Sequence, residues 1–160
     1  MQPCAVKPAA ISGFVAFIGL MLVGGGIVIE YGFGAQPCEM CWWQRYGHYA
    51  LLLFGLVGWW QARLTRVMLG LVVLAALVSG SIGVWQAGAQ LNLWVLPAFC
   101  GGGATPLSGA EDMLTALQTA GAPAPCDSWG FTIMGLSLAM WNVLAMGVTL
   151  GVAVWGIKKG

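Results

Sequence analysis

Long apolar runs alternate with short clusters of charge along this chain, and the runs have membrane-crossing length. Residues 8–29 carry no charge, and residues 46–62 carry none apart from His48. Residues 67–110 and 128–157 are likewise free of charge. A helix rises 1.5 Å per residue, so about 20 apolar residues cross the hydrocarbon core of a bilayer. The third run is longer than one span, but Pro97, Gly101, Gly102, Gly103 and Pro106 interrupt it, so its helix ends near Leu91. The pattern predicts spans over about 9–29, 42–62, 67–91 and 133–156, joined by long loops over about 30–41 and 92–132. The expected fold is an all-α membrane protein, a four-transmembrane-helix bundle forming one integral membrane domain over residues 1–160. The first run exceeds the roughly 7–15 residues of a signal-peptide core, and no A-x-A site follows it, so it reads as a retained helix.

Composition agrees with that pattern. The chain is 59% hydrophobic and 7% charged, against roughly 25% charged residues in soluble domains. A net charge of +1 says nothing about nucleic acid, but no stretch forms a basic patch or a glycine-rich phosphate loop, so no nucleic-acid partner is expected. The distribution of charge says more than its total. With four spans, Lys7, Arg63, Arg66, Lys158 and Lys159 fall on one side, and Glu30, Glu39, Glu111, Asp112 and Asp127 on the other. Basic residues near span ends mark the cytoplasmic face. Arg45 is the exception. Both termini are therefore expected in the cytoplasm and both long loops outside it, in an oxidising compartment.

The cysteines follow the same division. Cys38, Cys41, Cys100 and Cys126 lie in or beside the outer loops, and Cys4 alone lies on the cytoplasmic side. Paired thiols facing an oxidising compartment fit disulfide chemistry. Cys38 and Cys41 form a CxxC at the start of the second span, just after Pro37. Proline suits a helix start, and the positive end of the helix dipole favours thiolate there. Cys41, Arg45 and His48 are spaced i, i+4, i+7 and share a helix face. Arg45 can stabilise a thiolate at Cys41 or an anion on a ligand beside it, whereas its bland alternative is snorkelling to the interface. For His48, a neutral ring bonded to a neighbouring helix competes with a proton-handling role. A CxxC can also be a structural disulfide or half of a zinc site, but Cys100 and Cys126 supply no second CxxC, which disfavours metal.

The second loop holds further signals. Ser108 and Glu111 fit a capping box, and a short helix is expected to run from there to about Ala120, before Gly121, Pro123 and Pro125. Met113, Leu114 and Leu117 share one face, as in an amphipathic helix lying at the membrane surface. Cys100 precedes three glycines and Cys126 follows Pro123-Ala124-Pro125, so both sit in irregular backbone. Gly147 with Gly151, and Ser79 with Gly83, have the small-x-x-x-small spacing of close helix packing.

Taken together, Pro37-Cys38-Glu39-Met40-Cys41 followed by Arg45, the loop pair Cys100 and Cys126, and the tail Cys126-Asp127-Ser128-Trp129-Gly130-Phe131 leading to Gly135-Leu136-Ser137 and Trp141 resemble the disulfide bond formation protein B (DsbB) family. The resemblance covers nearly the whole chain. It implies a bacterial inner-membrane thiol oxidase. Its partner would be a periplasmic thioredoxin-fold protein of the DsbA kind, whose thiols attack a Cys100–Cys126 disulfide at Cys100. Electrons would then pass to Cys38–Cys41, with Cys41 facing a bound quinone, ubiquinone or menaquinone, and Arg45 polarising a quinone oxygen. The cofactor-binding residues expected on this basis are Arg45, Gln86 and His48.

Two positions depart from the family pattern. Many relatives carry histidine near the outer end of the third span, where this chain has Gln86. Glutamine donates a hydrogen bond but delivers no proton at neutral pH. His48, the single histidine, or bulk water is then the expected proton source. Ala139 stands where relatives usually have proline, which should make the fourth span start more regularly. Two other functions remain open at this level. One is a membrane scaffold with two structural disulfides. The other is a vitamin K epoxide reductase-like quinone reductase, disfavoured because there the active CxxC follows the loop pair.

Overall fold

The computed structural model describes residues 8–96, 100, 126–127 and 129–159. Four long helices dominate. Helix α1 covers Pro8–Ile27 and runs into a five-residue π turn, Val28–Gly32. Helix α2 covers Glu39–Trp60, α3 covers Thr65–Gln90, and α4 covers Leu138–Lys159. The predicted amphipathic helix at 108–120 lies outside the described residues.

Helix ends follow local chemistry. The Cys38 sulfur accepts a hydrogen bond from Cys41 N at 3.3 Å and so caps α2. Helix α3 closes with Asn92 at φ 57°, Asn92 N donating to Ala89 O and Leu93 N to Gly88 O, both at 2.9 Å. Those two bonds satisfy the last carbonyls in the pattern of a left-handed helix stop. This is where Leu91 was expected to end the third span. The fourth helix starts later than the expected residue 133, because Thr132–Ile133 and Leu136–Ser137 form a small hairpin, β1 and β2. Its turn, Met134-Gly135, has positive φ at both residues, which matches the twist of a tight hairpin. Ser137 then caps α4 by accepting from Met140 N at 3.3 Å.

Helix α1 packs along α2, α2 along α3 and α3 along α4, and a smaller α1–α4 contact closes the ring. Ile11, Val15, Leu51, Leu69, Val72, Ala76, Met146 and Ala153 fill its middle. Small residues let α1 and α2 touch backbone to backbone: a Cβ on Gly19 would stand 2.6 Å from Leu52 N, and one on Gly55 2.6 Å from Ala16 N. Ser79 and Gly83 do sit at helix contacts, Ser79 beneath Gly47 and Gly83 against Asn142. Gly147 and Gly151 do not; a Cβ at either would meet nothing within 4 Å, so among the described residues their spacing marks no helix contact.

Among the described residues, three helical segments are long and apolar enough to cross a membrane: Pro8–Gly32, Thr65–Gln90 and Leu138–Lys159. Helix α2, with 22 residues, is not among them. The reason is visible in its buried stripe, Met40, Gln44, His48, Leu51, Gly55 and Gly58, which alternates by three and four residues. Gln44 and His48 are turned into the bundle and Arg45 is half-buried, so these residues lower the mean hydropathy of α2 while most of their polar surface is withdrawn from its outer face.

Candidate functional site

All four predicted redox cysteines converge. Cys38, Cys100 and Cys126 are buried in one cluster with Met40, Ala89 and Leu96, and Cys41 packs against it. Capping places Cys38 and Cys41 across one helical turn, with their sulfurs 2.7 Å apart. Cys126 N donates to Cys100 O at 3.1 Å, which joins the two loop cysteines across 26 positions of sequence. Burial, then the bond and charge of Cys126, and then Glu39 and Asp127 push the Cys100 thiol up to about 12. A thiol with so high a pKa is a poor leaving group, so attack on Cys100 itself is the direction that avoids expelling it.

Glutamines on α2 and α3 tie the two pairs together. Gln86 Nε2 donates to Cys126 O at 3.2 Å and to Cys38 Sγ at 3.3 Å, and lies 3.7 Å from Cys41 Sγ. Its own carbonyl oxygen accepts from Gln44 Nε2 at 2.8 Å. Gln90 reaches the same Cys126 carbonyl at 3.5 Å and accepts from Ser137 Oγ at 2.6 Å, while Trp129 Nε1 donates to Gln90 O at 3.1 Å. The segment after Cys126 is thereby fastened to the C-terminal end of α3.

Arg45 occupies the next turn of α2. It pairs with Glu30 at 2.5 Å, donates to Gly26 O at 3.2 Å, and lies 4.9 Å from the Trp42 ring centroid. The side chains of Arg45 and Glu30 are 15% and 12% exposed, so the pair is largely withdrawn from solvent rather than snorkelling. The π turn is what delivers Glu30. Such turns insert a residue into a helix and often mark functional sites.

One turn deeper, His48 Nε2 meets Asn142 Oδ1 at 2.8 Å. Asn142 Nδ2 donates to Ser79 O at 3.0 Å, so Asn142 Oδ1 is the acceptor and His48 carries its hydrogen on Nε2. Nδ1 is then a buried acceptor, and among the described residues it has no hydrogen-bond partner. The ring is tied to a neighbouring helix.

A cavity of about 260 Å³ opens beside these residues. Met21, Leu22, Ile29, Phe131, Ile133 and Leu138 supply apolar walls, and Cys41, Arg45, His48 and Gln86 supply polar ones. The shared face of Cys41, Arg45 and His48 expected from their spacing is therefore a cavity wall. Gln86 also borders the cavity, but its amide groups are engaged with sulfur, Cys126 O and Gln44. Ala139, buried in the first turn of α4, lines it too. Sequence reasoning missed Glu30, Gln44 and Gln90. Glu30 had a signal, since an acid at the end of an apolar run, on the same side as the lone basic residue inside another span, is a natural partner for it. Polar glutamines inside apolar runs were the signal for the other two.

Apolar helices that bring two cysteine pairs to one end, beside an apolar cavity with a guanidinium on its wall, define a membrane disulfide oxidoreductase. Comparison with known proteins narrows the class. Residues 8–156 match the family described as disulfide bond formation protein DsbB. A disulfide bond formation protein B of Azoarcus sp. (strain BH72) is 35% identical, covering 84% of this chain and 82% of its own. One from Aromatoleum aromaticum is 33% identical over 94% of this chain and 95% of its own. The chain belongs to the DsbB family. No solved structure matches it.

Proposed function

We propose that this protein reoxidises a periplasmic DsbA-like thiol oxidant and passes the electrons to a membrane quinone. The reading is supported above all by the single buried cluster that holds Cys38, Cys100 and Cys126, with Cys41 against it and opening onto the apolar cavity. In this reading α2 is a fourth span. Its polar stripe faces the bundle, both termini are cytoplasmic, and the cysteine end faces the periplasm of a bacterial inner membrane.

A partner thiolate attacks Cys100 Sγ, the Cys100–Cys126 bond breaks, and the electron pair leaves on Cys126. Exchange then reduces the Cys38–Cys41 pair, both of which line the cavity, and Cys41 is the sulfur that would deliver electrons into it. The cavity suits a quinone ring: apolar walls, one guanidinium donor, and a buried acceptor at His48 Nδ1 that has no partner among the described residues. When bound, a quinone supplies the two-electron acceptor, and ubiquinone and menaquinone both fit that chemistry. Arg45 would hold and polarise a ring oxygen, while Trp42 and Glu30 keep its guanidinium in place. His48 would accept a hydrogen bond or a proton at Nδ1 and relay it in the cavity. Gln86 would close the cavity on the cysteine side.

The test is a trapped intermediate. A Cys126→Ser variant, mixed with a reduced thioredoxin-fold partner, should accumulate a mixed disulfide through Cys100. Failure to form it, with the protein folded, would favour a scaffold holding inert disulfides.

A further inference from the structure

Among the described residues, the Gln86 side chain hydrogen-bonds to both cysteine pairs. Its Nε2 has two hydrogens. One is directed at Cys126 O, 3.2 Å away, and the other at the CxxC, 3.3 Å from Cys38 Sγ and 3.7 Å from Cys41 Sγ. The amide cannot rotate to a different arrangement at low cost, because Gln44 Nε2 holds its oxygen at 2.8 Å and the side chain is 3% exposed. Gln90 reinforces the same Cys126 carbonyl from one turn further along α3.

We propose that Gln86 is the positioning residue for disulfide exchange between the two pairs, a role additional to lining the cavity. In the step it serves, the Cys126 thiolate attacks Cys38 Sγ of the Cys38–Cys41 disulfide. The Cys126–Cys38 bond forms, the Cys38–Cys41 bond breaks, and the electron pair departs on Cys41 as thiolate. No external oxidant or reductant enters, since one disulfide replaces another. Gln86 contributes twice. Its bond to the Cys126 carbonyl keeps that residue beside Cys38, and its second N–H is aimed at the sulfurs among which the negative charge moves. A hydrogen bond to a charged group shifts an equilibrium by about tenfold or more. A histidine at this position would place a single ring N–H here, whereas the glutamine amide can bridge both partners at once.

The inference rests on the proposed redox use of these cysteines, but its test needs neither quinone nor partner. In the full chain carrying Cys100→Ala, purified free of quinone, Cys126 is left to compete with Cys41 for Cys38. Rapid alkylation followed by peptide mapping gives the ratio of Cys38–Cys126 to Cys38–Cys41. We expect both forms in that background and a ratio about tenfold lower when Gln86→Leu is added. In a Cys100→Ala, Cys126→Ala background, Gln86→Leu should make the CxxC potential more reducing by about 30 mV, the equivalent of that tenfold. Packing damage alone would not set the sign of that potential shift. If Gln86→Leu does not fold, Gln44→Leu, which removes the bond to the Gln86 oxygen while retaining Gln86 itself, should lower the ratio about threefold. Ratios and potentials within experimental error of the Gln86 protein would overturn the proposal. They would leave quinone-linked oxidation itself untouched.

Discussion

Replacing Glu30 with glutamine isolates the charge of the Arg45 partner while keeping its shape. The two side chains are 12% and 15% exposed and touch at 2.5 Å, at the end of α1 and near the start of α2. Two unit charges about 4 Å apart attract by about 4 kcal/mol at an effective dielectric of 20. Glutamine still offers a carbonyl to the guanidinium, and Gly26 O and the Trp42 face remain. Stripping a partner from a fully buried pair costs about 3–5 kcal/mol, and these residual contacts should halve it, to about 2 kcal/mol. For a chain of 160 residues that corresponds to a fall in Tm of about 4–8 °C. Thermal unfolding in detergent should show this loss at low and high salt alike, because a withdrawn pair is weakly screened. A cycle of Glu30→Gln, Arg45→Met and the double variant should return a coupling of about 2 kcal/mol. Additive single effects, or a loss abolished by salt, would refute the argument that this pair is a buried structural device.

Other substitutions probe separate links. Gly55→Leu would drive side-chain atoms into Ala16 backbone, where even a Cβ stands 2.6–2.8 Å away, and should cost at least about 1–3 kcal/mol, read by denaturation. His48→Ala should slow quinone reduction and alter its pH profile; an unchanged rate and profile would remove His48 from the proton route. In the fully reduced protein, Cys100 should resist iodoacetamide at pH 8. With its thiol pushed up to about 12 from 9.0, its thiolate fraction is lowered about a thousandfold, and its alkylation should accelerate as pH rises toward 12. Rapid modification of Cys100 at neutral pH would contradict the assigned environment.

Much of this organisation was legible in the sequence because membranes impose strong patterns. Apolar run lengths foretold four long helices within a few residues, and the prolines and glycines beyond Leu91 foretold where α3 stops. Helical spacing placed Cys41, Arg45 and His48 on one face, and that face is a cavity wall. What the sequence hid depends on which helices meet. The small-residue spacing at Gly147 and Gly151 looked like packing, yet among the described residues neither glycine meets another helix, since spacing alone does not say which face is buried. The hairpin at 132–137 was concealed inside an apolar run, because a two-residue turn leaves little trace in hydropathy. The link from Gln86 to both cysteine pairs, and from Arg45 to Glu30, required tertiary contacts between residues 15–48 positions apart.

The central claim is that electrons from protein thiols leave this chain through Cys41 to a quinone beside Arg45. Stopped-flow absorbance of a soluble quinone, mixed with purified protein and a reduced thioredoxin-fold partner, measures it directly. The account predicts catalytic quinone consumption by the native chain, none by Cys41→Ser, and at least a tenfold slower rate in Arg45→Ala. Quinone left unreduced by the native chain while its cysteines still exchange with the partner would contradict it.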